Sequence, residues 1–135
     1  MARSVRFANF GGIGLPQQIG RMARAGFRPR FRNSRVVWIG TVQPTPISEI
    51  YTMKIKYRLG GRPHVVVLDP PLRDRGDAAA IPHTFSDGSI CLHLSEDWAP
   101  TMFVADTILP WVSHWLLYYE HWLALGDWLG GGVET

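Results

Sequence analysis

A chain of 135 residues, 46% apolar and 19% charged, is long enough for one buried core and too apolar to stay disordered. Its single cysteine excludes an internal disulfide framework and suits a reducing cytoplasm. The net charge of +3 conceals an imbalance: residues 1–35 carry eight arginines and no acid (+8), and the remainder sums to −5. A basic region of this kind attracts nucleic acid or an acidic protein surface, or serves as a solvated face and a charge-protected edge strand.

No signal peptide is expected, because the charges of Met1–Arg6 are followed by no apolar run. Residues 1–14 include three glycines and little periodicity, and are expected to form a flexible N-terminal arm. Leu15, Ile19 and Met22 then fall at i, i+4 and i+7 from a start at Pro16, with Gly26 after them, which predicts a short amphipathic helix. Phe27, Pro29 and Phe31 alternate with Arg28, Arg30 and Arg32, an edge-strand pattern that tolerates the proline. Asn33-Ser34 turns the chain into the β-branched stretch 35–42, which Pro44 and Pro46 end.

Residues 50–59 alternate again, with Tyr51, Met53, Ile55 and Tyr57 on one face and Lys54, Lys56 and Arg58 on the other. Gly60-Gly61 leads into a strand over 64–68, closed by Pro70-Pro71. The short connections predict an antiparallel meander of about four strands. Residues 102–125 read as a long, aromatic helix; Pro110, Ser113, His114, Glu120 and His121 within it argue against a membrane span. The expectation is an α+β fold: one domain over 15–126, followed by a flexible Gly-rich tail over 127–135.

The most informative segment is 81–100, Ile-Pro-His-Thr-Phe-Ser-Asp-Gly-Ser-Ile-Cys-Leu-His-Leu-Ser-Glu-Asp-Trp-Ala-Pro. A unique thiol, Cys91, stands just past an Asp-Gly turn and eight residues after His83, a nucleophile beside an electrophile-stabilising neighbour. This stretch resembles the active-site segment of ubiquitin-conjugating (E2) enzymes, where His-Pro-Asn precedes Gly-x-Ile-Cys-Leu and Trp-Ser-Pro follows. Pro82 matches the family proline, His83 stands at the asparagine and Ile81 at the histidine. Gly88, Ile90 and Leu92 match directly, and Trp98-Ala99-Pro100 lies within a residue of the usual spacing. The resemblance implies a UBC-like (E2) fold spanning roughly 15–125, lacking the last two helices of conventional members.

It also implies that Cys91 accepts an acyl group as a thioester and passes it to an amine. An ordinary thiol is only a few per cent ionised at neutral pH. With apolar neighbours Ile90 and Leu92, the expected nucleophile suits thioesters and activated carboxyls rather than peptides. Aminolysis passes through an oxyanion that needs a positioned donor, the work assigned to the family asparagine; His83 could supply a ring N–H or move a proton. Asp87 or Asp97 could orient or deprotonate the attacking lysine, and His93, on the same strand face as the thiol, could tune it. Plainer readings stand beside these: Cys91 as a small buried hydrophobe, His83 as a loop brace, Asp87 as a turn residue, His93 as surface. A metal site from His83, Cys91 and His93 matches no standard zinc spacing, and neither metal nor cofactor is expected.

Trp98 and Pro100 are expected to pack the helix start against the active-site loop. Trp111, Trp115, Tyr118 and Trp122 form an aromatic stripe on a helix apolar nearly all round, which predicts a docking or dimer surface alongside a core role. Within the superfamily the chain is similar to bacterial stand-alone E2 proteins of CBASS antiphage operons, which carry histidine in place of the asparagine and a Trp-rich helix close to Ile-Leu-Pro-Trp. That resemblance implies conjugation of the C-terminus of a cGAS-like nucleotidyltransferase, or of a ubiquitin-like protein, to a lysine. It gives nucleic acid and membrane no part. The alternatives are an inactive E2-variant scaffold, and a nucleic-acid-binding module with Phe27, Phe31 and Trp38 as stacking platforms.

Overall fold

A computed structural model describes residues 11–77, 80–92 and 97–130. The elements are α1 (Leu15–Arg24), β1 (Arg28–Arg32), β2 (Arg35–Val42), β3 (Tyr51–Arg58), β4 (His64–Asp69) and α2 (Val104–Leu125). Each lies where periodicity and turn residues place it. The strands form one four-stranded antiparallel sheet in the order β1-β2-β3-β4, so the α+β meander read from the sequence is the observed fold.

Helix α1 starts with Pro16 in its first turn and buries Gln18 and Met22, one turn apart on one face. It ends in a Schellman arrangement: the Phe27 N–H donates to the Met22 carbonyl and the Gly26 N–H to that of Ala23, with Gly26 at φ 86°. Phe27 and Met22 then bury together. The Phe27 ring lies on Gly40 of β2, where a Cβ would meet the ring at 2.6 Å. A strand glycine is used here for close packing.

Alternation in β2 and β3 decides the core. Val36, Trp38, Met53, Ile55 and Tyr57 are buried on one face, and β4 adds Val65 and Val67. Into the same core cluster α2 brings Val104, Ile108, Val112, Trp115, Leu116, Tyr119 and Trp122. Trp38 stacks on Tyr57 at 6.0 Å, and Tyr57 meets Trp98 edge-on at 5.6 Å. Phe27 and Trp38 are therefore core residues rather than stacking platforms; of the three aromatic residues proposed for that role only Phe31, 66% exposed on the edge strand, faces solvent. No helix of the described residues is long and apolar enough to cross a membrane.

The N-terminus of α2 has no side-chain cap of its own. Gln18, fully buried on α1, supplies one: its Oε1 accepts the Val104 N–H at 2.9 Å, and its Nε2 donates to the Met102 carbonyl at 2.9 Å. Replacing Gln18 by methionine keeps the volume and strands both backbone groups. Each buried unsatisfied group costs about 1–3 kcal/mol, so Gln18→Met is expected to lower unfolding free energy in urea by at least about 1 kcal/mol; a loss below about 0.5 kcal/mol, the range of an ordinary surface change, would contradict this role.

Candidate active site

Residues 83–91 form a small hairpin. Thr84 and Ile90 make an antiparallel bridge, the Phe85 N–H donates to the Ser89 carbonyl at 2.8 Å, and the Gly88 N–H donates to Phe85 at 2.9 Å. Gly88 sits at φ 88°, in the left-handed region that glycine enters without strain. Asp87 closes the turn from inside. Its Oδ1 accepts the Ser89 N–H at 2.9 Å and the Ser89 hydroxyl at 2.6 Å, while its Oδ2 lies 3.0 Å from Nε2 of His64 on β4. The Nε2–H tautomer of His64 makes this a donated hydrogen bond, and its buried Nδ1 has no hydrogen-bond partner among the described residues. The Ile90 N–H donates to the Val65 carbonyl at 3.0 Å, which fixes the hairpin to the edge of the sheet.

Cys91 and His83 oppose each other across this hairpin. The Cys91 N–H donates to the His83 carbonyl at 2.8 Å, and the same carbonyl accepts the indole N–H of Trp115 on α2 at 3.2 Å. His83 adopts φ 54°, unusual for a residue with a side chain. That conformation is held by the two donors to its carbonyl and by Trp128, whose ring lies 5.1 Å from the imidazole. His83 is 8% exposed, whereas Cys91 is a half-buried thiol outside any disulfide. The arrangement pins the backbone of Cys91 opposite that of His83, whose imidazole packs against an indole. It accommodates the brace reading of His83 as well as the donor reading, and the two are separable by mutation.

The other residues singled out from sequence divide. Trp98 is buried against Tyr57, and the Pro100 carbonyl accepts the Ile13 N–H at 2.9 Å, so both serve packing around the start of α2. The docking reading of the stripe is corrected for two of its members: Trp115 and Trp122 are 4% and 5% exposed and belong to the core. Trp111 and Tyr118 are half-buried beside them. The physical reason is that a sheet with one apolar face needs a helix this apolar to cover it. His93 lies outside the described residues. Among the described residues no group of three or more His, Cys, Asp or Glu could hold a metal ion.

Two contributors escaped the sequence reading. Trp128, assigned there to a flexible tail, packs on Trp115, Tyr118 and His83; a lone tryptophan among glycines was the available signal. His64 reads as an ordinary first strand residue, and only the fold brings it to Asp87.

The carboxyl of Asp87 is held below the usual carboxylate range, first by the Ser89 hydroxyl, then by His64 and the Ser89 N–H. A carboxylate depressed in the folded state adds stability above its ordinary value of 3.8, and this is lost as pH falls through the folded value. Comparing wild type with Asp87→Ala by denaturant titration, the stability gap is therefore expected to stay constant from about pH 5 to 8 and to close only below about pH 4. A gap that closes near neutral pH would contradict this assignment.

Comparison with known proteins places these observations. No curated protein matches the chain. A family model described as the type II CBASS E2 protein matches residues 18–135, which include the hairpin, its cysteine and both helix–sheet contacts just described. The four-stranded antiparallel sheet with its two helices is a reduced UBC-like fold. With the family model covering nearly all of the described fold, the chain belongs to the type II CBASS E2 proteins.

Proposed function

We propose that this protein is an acyl-transfer enzyme in which Cys91 carries the C-terminus of a partner protein as a thioester and delivers it to a lysine. The observation that carries the reading is the Cys91–His83 pair. A half-exposed thiol has its backbone pinned to the carbonyl of the residue at the oxyanion-donor position, in a chain of the type II CBASS E2 family. Family membership gives an E2-like role among CBASS proteins, and the cGAS-like nucleotidyltransferase is the donor that fits this role.

The chemistry has two displacements. The Cys91 thiolate attacks the carbonyl of an activated C-terminus, a thioester or acyl phosphate; the S–C bond forms, the activating group leaves, and the thiol proton passes to solvent or a nearby base. A lysine amine then attacks the thioester. The tetrahedral oxyanion collapses with breakage of the S–C bond, the thiolate departs, and the amine proton is lost to solvent. In this reading a ring N–H of His83 donates to the oxyanion, and the residue is held by the packing of its ring on Trp128 and by the bond of its carbonyl to Trp115. Burial under an indole limits the reorganisation that a donor would otherwise undergo.

Expressed together with the nucleotidyltransferase, the wild type is expected to give an adduct cleaved by thiols. Cys91→Ser gives an ester that survives thiols, and Cys91→Ala gives none. Equal adduct from Cys91→Ala, on denaturing gels and by mass spectrometry, would refute the reading and favour a scaffold.

His83→Ala is expected to slow transfer by about 10²-fold, the scale of one lost oxyanion donor. Asparagine tolerates the left-handed backbone better than alanine, so His83→Asn is expected to recover part of the rate while keeping the fold. Single-turnover discharge to free lysine, read beside melting temperature, checks this. Activity falling only in step with stability would assign His83 to bracing alone.

A further inference from the structure

The outer face of the sheet takes no part in the core and touches the Cys91 hairpin at His64. Residues directly opposed in an antiparallel ladder share a face, so the strand registers sort this surface into rows. In the first, Arg28 lies opposite Ile39, Ile39 opposite Lys54, and Lys54 opposite Val66. In the second, Arg30 is followed by Val37, Lys56 and His64. The third consists of Arg32, Arg35 and Arg58. No acid stands in these three rows; Asp69 belongs to the next one, with Thr41 and Thr52. Among the described residues, the salt bridges found involve none of these arginines or lysines. Between β1 and β3 the charged side chains surround a hollow of about 610 Å³ lined by the half-buried Val37 and Ile39.

We propose that this face docks an acidic protein surface, and that its occupant is the protein whose C-terminus Cys91 takes up. The proposal rests on the acyl-transfer reading above. Charge complementarity sets the chemistry: like charges this close repel in the free protein, and carboxylates brought to them relieve that repulsion and speed encounter. One arrangement favours protein over nucleic acid. Val37 and Ile39, joined by the exposed Phe31 in the lining of the hollow, give the patch an apolar centre within a charged margin, the anatomy of a protein interface. The surface is also continuous with the site. Its second row ends at His64, which contacts Asp87 in the turn leading to Cys91. A protein held on these rows is held beside the thiol.

The test uses Cys91→Ala protein, so that binding is read without chemistry, with the cGAS-like nucleotidyltransferase as the probe. Association and dissociation rates are measured at about 0.05 and 0.3 M salt, either side of a Debye length near 10 Å. Arg30→Glu with Lys56→Glu is expected to slow association about tenfold or more, to change dissociation much less, and to flatten the salt dependence. Arg30→Gln with Lys56→Gln should fall between it and the parent. Melting temperatures should move little, because Arg30 is exposed and the half-buried Lys56 lies outside the core. Unchanged association in the reversal variant overturns the docking face; an adduct at Cys91 in the wild type would show that the acyl-transfer reading survives. No binding by the parent protein also overturns the face, and absence of the wild-type adduct would then remove the acyl-transfer reading with it. Loss of binding to a duplex DNA of about 20 base pairs, with nucleotidyltransferase binding intact, would assign the face to nucleic acid and overturn the proposal.

Discussion

One carbonyl oxygen organises the end of the molecule that carries Cys91. The His83 carbonyl accepts the Cys91 N–H from the opposing limb of the hairpin and the indole N–H of Trp115 from α2. The first bond sets the backbone of Cys91 opposite that of His83. The second fixes both to the helix that covers the sheet, in a buried setting where an unmade hydrogen bond is expensive. A left-handed residue that is not glycine persists only when its surroundings over-determine it, and here two donors and an aromatic ring do so. Cys91 inherits its backbone position from the hydrophobic core through one acceptor.

The core explains why the aromatic helix has its composition. Its tryptophans look like surplus surface when the helix is read alone, because apolar residues occur on every side. In three dimensions one side meets the sheet, another meets α1, and the final turns meet Trp128 and the residues after β4. Tyr119 illustrates the last: its hydroxyl accepts the Arg73 N–H at 2.9 Å, while Arg75 donates to the Trp122 carbonyl at 3.1 Å. Gly126 ends the helix at φ 89°, and a Cβ there would meet the Arg75 guanidinium at 2.5 Å. The helix terminus is thus built from the glycine and the arginine together.

Much of this was legible in the sequence because it depends on local rules. Tyr51, Met53, Ile55 and Tyr57 alternate with polar neighbours, and a strand with one buried face has no other register. Asn33 marks the tight β1–β2 turn and indeed takes φ 57°. The cysteine hairpin was readable from Asp87-Gly88 and from its family likeness. Illegible features depend on partners far apart in the chain. Gln18 looks like a solvent-facing helix residue until α2 arrives with an uncapped N-terminus. His64 and Asp87 are separated by a loop whose path no periodicity dictates. Which sides of an apolar helix are covered follows from the assembled packing, so Trp115 and Trp122 read as surface when the missing neighbours were unknown.

The attachment of the hairpin to the sheet has a dynamic consequence. Strands β2 and β3 share a continuous ladder from Arg35–Arg58 to Val42–Tyr51, whereas the hairpin meets β4 through the Ile90–Val65 backbone bond and the partly exposed His64–Asp87 contact. Local opening free energy scales with what must be broken. Opening the segment that holds Cys91 would also break the Trp115–His83 bond and uncover Ile90, so its amides are expected to exchange with solvent later than the exposed turn at Asp87-Gly88 and earlier than β2 and β3.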